Sequence, residues 1–152
     1  MTISRQHLPA FNSIGYAILC QHAVASVLTK NDRRALVDHI LRADKIGTGP
    51  LAILSRLLGL KLLYASVLDD GKIDTKAAAG GSQVTYAVGN LQPVSGRLYH
   101  HDEFAVEENG IHVGSLLGAT LIGMKAGTQG PLLQPDGTFS RVHLLSVGSA
   151  RA

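Results

Sequence analysis

"SLLGATLIGMKAGT", Ser115–Thr128, is the stretch on which the reading of the C-terminal half turns. It is apolar, yet glycine interrupts it at Gly118, Gly123 and Gly127. An interior Gly costs a helix roughly 0.5–1 kcal/mol relative to Ala, so a short helix here needs support from its surroundings. Its neighbours read as strands. "NGIHVG" (Asn109–Gly114), just before it, is a turn and a short strand. "GPLLQPDGTFSRVHLLSV", after it, is a pair of strands joined across Pro135–Gly137. Further upstream "SQVTYAV" (Ser82–Val88) alternates Val84, Tyr86 and Val88 against Gln83, Thr85 and Ala87, and "RLYHH" supplies a partner strand beyond the turn "GNLQPVSG".

Residues before about Leu68 follow a different rule. Ile14, Ala17, Ile18, Val24, Val27 and Leu28 recur at helical spacing and predict a first helix. Asn31 or Asp32 is a suitable N-cap for a second, with Ala35, Leu36, Ile40 and Leu41 as its buried stripe. "KIGTGP" is a turn that leaves Pro50 at the first position of a third helix, which the pattern extends to about Val67. That helix carries two apolar stripes, one of Leu51, Leu54, Leu58 and Leu62 and one of Ile53, Leu57, Leu60 and Tyr64. A face this wide predicts a compact bundle rather than a protruding hairpin, with self-association through any apolar strip left uncovered.

Composition narrows the class. The chain has 152 residues, 45% hydrophobic and 16% charged, which suits a folded chain and not a disordered one. A lone cysteine, Cys20, rules out an internal disulfide and multi-cysteine metal motifs; its helical apolar setting predicts a core position. "LAILSRLLGLKLLYASVL" is the longest apolar stretch, but Arg56 and Lys61 interrupt it and it falls short of a span of about 20 residues. With no leader pattern at the N-terminus, a cytoplasmic protein with no membrane partner is the expectation. Residues 1–75 hold nine Lys and Arg against six Asp, whereas residues 76–152 are balanced. So mild an excess reads as solvated surface, or more sharply as a basic face turned toward nucleic acid or a machine that handles it.

The ordered set "GGSQVTY", "GRLYHHDEF", "NGIHVGSLLGATLIGMKAG" and "GTFSRVHLLSV" resembles the C-terminal domain of the bacterial GreA/GreB transcription elongation factors. It resembles still more their relative Rnk, the regulator of nucleoside diphosphate kinase. The resemblance covers roughly residues 76–148. It departs from the family where Leu116 replaces a Pro, His101 a Pro and Thr128 an Asp. It implies an FKBP-like half: a curved antiparallel sheet wrapped around one short helix. A helix in such a hollow is buried on most sides, so it can be apolar nearly all round. Gly118 and Gly123 would then admit close backbone approach, Gly127 would supply a left-handed residue, and Leu117, Leu121 and Ile122 would be core. The resemblance also implies that RNA polymerase is met at the loop entering the helix, Val113, Gly114, Ser115, Leu116 and Leu117. Contact with nucleic acid would be indirect, within the transcription complex.

Factors of true Gre type present an acidic pair at the tip of a helical hairpin, where two carboxylates help hold a Mg²⁺ ion. All three Glu of this chain lie after position 100, and the turns "TKND" and "KIGTGP" each have one nearby acid, Asp32 and Asp44. Asp69 and Asp70 are adjacent but sit in a connector. His100 and His101, neighbours in a strand, point to opposite faces and do not chelate one ion; His112 and His143 read as isolated, half-exposed strand residues. Ser115 has no His/Asp partner pattern, and "AAAGGS" lacks the Lys and spacing of a phosphate loop. Prolyl isomerases of FKBP type use an aromatic-lined pocket, which three Phe, four Tyr and no Trp hardly build.

The expectation is therefore an α+β chain: an N-terminal helical domain, 1–75, and a Gre-type FKBP-like domain, 76–152. It acts as a non-catalytic regulator of elongation bound to RNA polymerase, with no metal, cofactor or catalytic residue. A transcript cleavage factor of true Gre type is the alternative, and an FKBP-like prolyl isomerase a more distant one.

Overall fold

The computed structural model describes residues 13–46, 50–69, 71–72, 74–101, 109–134, 136 and 138–150. Three helices come first: α1 (Ser13–Ala25), α2 (Lys30–Ile46) and α3 (Pro50–Tyr64). Helix α1 turns Leu19, His22 and Ala23 inward and leaves Val24 60% exposed. It ends before Val27 and Leu28, which the helical spacing had included. The Val27 N–H donates instead to the Gly123 carbonyl at 2.8 Å, and the pair forms strand β1 (Val27–Leu28).

Helix α2 is capped at Thr29, ahead of the Asn31 or Asp32 that the sequence suggests. Thr29 Oγ1 accepts from the Asp32 N–H at 3.0 Å, so Asp32 lies inside the first turn rather than at the cap. The buried stripe is Asp32, Leu36, His39 and Ala43; of the expected Ala35, Leu36, Ile40 and Leu41, Leu36 is fully buried, Ile40 packs partly against the core and Leu41 is exposed. Two of its four members are polar, which is why an apolar pattern missed the face.

Pro50 opens α3 as expected, but the helix stops at Tyr64. Ser66 and Leu68 turn their N–H groups to the carbonyls of Ser26 and Leu28, at 3.0 and 2.9 Å. Ser66–Val67 thereby becomes β2, parallel to β1. Ile53, Leu54, Leu57, Leu58 and Leu60 are buried on α3, so both of its apolar stripes are used, covered by α1 and α2.

The remaining strands form one sheet in the order β5-β4-β3-β7-β6: β3 (Ser82–Val88), β4 (Val94–Tyr99), β5 (Gly110–His112), β6 (Gln129–Leu133) and β7 (Phe139–Ala150). All neighbours are antiparallel except β4 and β5. Register shifts along β3 and β7 curl the sheet. Helix α4 (Leu116–Leu121) packs against β5 and β6 on one side and α3 on the other.

The glycines of α4 and its exit now have causes. A Cβ on Gly118 would run into the carbonyl oxygen of His112. Gly123 has φ +83°, a conformation that L side chains rarely adopt, and its backbone abuts Ser26 and Val27. Gly127 likewise has positive φ. Leu121 and Ile122 are fully buried and Leu117 partly so. One continuous core joins Leu19, Leu36, Leu57 and Leu58 of the helices to Val84, Leu98 and Leu144 of the sheet, with α4 between them.

Candidate docking site

The loop from β5 into α4 forms a corner of the molecule. Val113 is buried, while Gly114, Ser115, Leu116 and Leu117 are half-buried. Ser115 is the N-cap: its Oγ accepts from the Gly118 N–H at 3.1 Å and donates to the His112 carbonyl at 2.6 Å. One hydroxyl thus ties the first turn of the helix back to the end of β5. The two leucines lean on the core and keep part of their surface in solvent. All five residues expected at the docking loop are therefore contiguous in space and fixed at a capped helix start.

The other end of α4 is held by a lysine. Lys61, in the last turn of α3, is fully buried and donates to the carbonyls of Thr120 (2.8 Å) and Ile122 (2.6 Å). His22 Nε2 of α1 donates to the same Thr120 carbonyl at 3.0 Å. These carbonyls belong to the helix end, where intrahelical donors run out. Burial drives the Lys61 amine well below its ordinary value. Burial also lowers His22 to about 3, helped by Lys61 beside it and opposed by its bond to Thr120.

A second polar junction underlies the corner. His100 Nε2 donates to Asp32 Oδ1 at 2.7 Å, and its Nδ1 meets His39 Nε2 at 3.1 Å. The same carboxylate oxygen accepts from the Gly80 N–H at 3.1 Å. His112 Nε2 donates to the His100 carbonyl at 2.9 Å, and its ring stands edge-on to His39 and stacks on Tyr99. Asp32, His39 and His100 are all buried, and Asp32 Oδ2 has no partner among the described residues. Burial, then the neighbouring His100, His112 and His101, lower His39 to about 4; Arg42 adds to this. Asp32, His39 and His100 therefore bind α2 to the ends of β4 and β5, directly behind Val113–Leu117.

His112 is thus not an isolated strand residue, and Asp32 is not an acid beside a tip. The expected opposition of His100 and His101 is visible in part: His100 is buried and His101 exposed. Yet both rings lie near His39, their centroids 5.3 and 5.7 Å from its own. No three His, Cys, Asp or Glu among the described residues converge on a point that could hold a metal ion. Cys20 is half-buried against the core, and His143 is half-buried on β7. Asp69 is exposed, while Asp70, residues 47–49 of "KIGTGP" and all three Glu lie outside the described residues. None of the described helices is long and apolar enough to cross a membrane. Sequence reasoning missed Lys61 and the chain Asp32–His100–His39. The available signal was a polar residue recurring on an apolar helical face.

No family model matches the chain, and no curated protein matches it. Solved structures do. A prokaryotic transcription elongation factor GreA/GreB from Nitrosomonas europaea superimposes with a TM-score of 0.57 at 18% identity, covering 82% of this chain and 99% of that one. Gfh1 of Thermus aquaticus (TM-score 0.42, 19% identity, 83% and 99% covered) and GreA factor homolog 1 of Thermus thermophilus (0.38, 15%, 82% and 99%) also match. Their scores are too low to carry an argument. In fold, then, the chain is similar to a GreA/GreB transcription elongation factor over most of its length.

Proposed function

We propose that this chain is a non-catalytic regulator of transcription elongation that docks on bacterial RNA polymerase through Val113, Gly114, Ser115, Leu116 and Leu117. The observation that carries this reading is the capped corner itself. The loop at which the sequence resemblance puts the polymerase contact is half-exposed, apolar at Leu116 and Leu117, and pinned at both ends of the helix it enters. A pre-positioned apolar element binds with little ordering cost. The fold shared with a GreA/GreB factor supports the same reading. On this proposal residues 76–152 form the FKBP-like docking part, residues 1–75 the helical part presented beside the polymerase, and the protein is cytoplasmic.

The non-catalytic half of the proposal rests on the acids. Asp32 is buried against His100, so it is not offered to a metal in a partner's active site. In the sequence Asp44 is the one acid beside the turn "KIGTGP", and two converging carboxylates are what Mg²⁺-dependent cleavage needs. Added at saturation to stalled elongation complexes, the protein should bind them and leave the transcript 3′ end intact. Mg²⁺-dependent shortening of the transcript that vanishes in Asp44→Asn would make the chain a cleavage factor instead.

A further inference from the structure

A notch of about 400 Å³ lies between the start of α2 and strand β2, lined by Lys30, Arg33, Arg34, Val37 and Val67. All five are solvent-exposed, and no acid among the described residues lines the notch. Asp32, the acid of this helical turn, faces the opposite way, into the junction with His100. Asp38 and Asp69 are exposed on the same helix and the following connector but do not line it.

The backbone adds a second feature. Ser66 and Leu68 direct their N–H groups to β1, so Val67, between them, turns its own N–H and carbonyl away from β1. The far side of β1 is taken, since Val27 donates to Gly123. The outer edge of β2 is thus the open edge of this small sheet, and Val67 belongs to both the edge and the notch. Unpaired strand edges are templates for an added strand.

We propose that the notch binds an extended peptide of alternating acidic and apolar residues. The peptide adds to the edge at Val67, seats an apolar side chain against Val37 and Val67, and sets its carboxylates against Arg33 and Arg34. Charge complementarity selects an anionic occupant. The edge selects a peptide over nucleic acid, because only a polypeptide backbone matches its donor and acceptor. The lining also has no aromatic on which a base could stack. This surface is separate from the docking loop, so either assignment can fail without the other.

The test is fluorescence anisotropy on the full chain with three labelled probes: a hexapeptide alternating Glu and Val, its Lys–Val counterpart, and a short single-stranded oligonucleotide. The Glu–Val peptide should bind and the Lys–Val peptide should not. The double variant Arg33→Glu/Arg34→Glu should raise its Kd by about tenfold or more. Val67→Pro, which removes the edge N–H and no charge, should raise it by about fivefold; if the proline variant does not fold, Val67→Ala, which removes the apolar contact and no charge, should raise it by about twofold or more. Leu116→Asp should leave peptide affinity unchanged. The proposal is overturned if the Glu–Val peptide does not bind, if the Lys–Val peptide binds as well, or if neither the charge reversal nor the Val67 change moves its Kd. Tighter binding of the oligonucleotide, lost in the double variant, would make the notch a nucleic-acid surface instead.

Discussion

Two polar junctions hold the helical half of this chain against the sheet half, and they are built on opposite principles. At the end of α4, Lys61 and His22 donate only to backbone carbonyls, with no carboxylate among their bonded partners. At the ends of β4 and β5, Asp32, His100 and His39 form a chain of side chains that ends on a carboxylate. The first junction has its donors matched to backbone carbonyls and is sealed in the core. The second is a row of titratable rings at the base of a half-exposed corner. One is tied to main-chain carbonyls alone, whereas the other runs through side chains to a carboxylate.

The clamp should show the largest mutational effect. Lys61→Ala removes a fully buried stem, leaves a cavity, and strips the Ile122 carbonyl of its lysine donor. A loss of about 3–5 kcal/mol is expected in urea denaturation at pH 7. Lys61→Met keeps most of the stem and should cost clearly less. Equal losses in the two variants would mean that packing plays no part, and a loss under about 1 kcal/mol in Lys61→Ala would mean that the junction does not clamp.

The titratable junction should show itself in pH dependence. The unfolded chain takes up a proton at His39 near its ordinary value of 6.5, the folded chain only near 4. The contribution is therefore fully present above about pH 6.5 and is lost as pH falls toward 4. His22, lowered to about 3, acts in the same direction over a slightly wider window. A combined loss of a few kcal/mol between pH 7 and pH 4 is the expected order of magnitude. His39→Gln should flatten that slope and His22→Gln should flatten its acid end. A slope untouched by either substitution would remove both rings as its source.

The smallest effect belongs to the cap. Ser115→Ala removes the acceptor for the Gly118 N–H and should cost about 1 kcal/mol in thermal denaturation. If it costs as much as Lys61→Ala, the two ends of α4 are not held by different means.

What the sequence could and could not reveal follows the same division. Alternation in Ser82–Val88 and the glycines around α4 are local signals, and β3 and the short helix lie where those signals put them, whereas β4 begins at Val94, inside the expected turn Gly89–Gly96, because Val94–Gly96 pair with Val84–Tyr86. The Gly118 contact with His112 fits the expectation of close backbone approach. The ends of α1 and α3 were misread because Val27–Leu28 and Ser66–Val67 are drawn into a ladder between segments about forty residues apart. Helical periodicity carries no trace of such a partner. The junctions were illegible for the same reason: Lys61 bonds Thr120 and Asp32 bonds His100 across 59 and 68 positions. Only the polar interruptions at Asp32, His39 and Lys61 hinted that something on the far side must receive them.

Both junctions serve one end, a helix held so that Val113–Leu117 stands as a firm corner, and the direct test of that purpose is docking. Binding of immobilised RNA polymerase core enzyme should be measured for the wild type, Ser115→Arg and Leu116→Asp, with circular dichroism confirming that each variant is folded. We expect both substitutions to weaken association by about tenfold or more while the fold is retained. Wild-type affinity in both folded variants would contradict the assignment of this corner as the docking site.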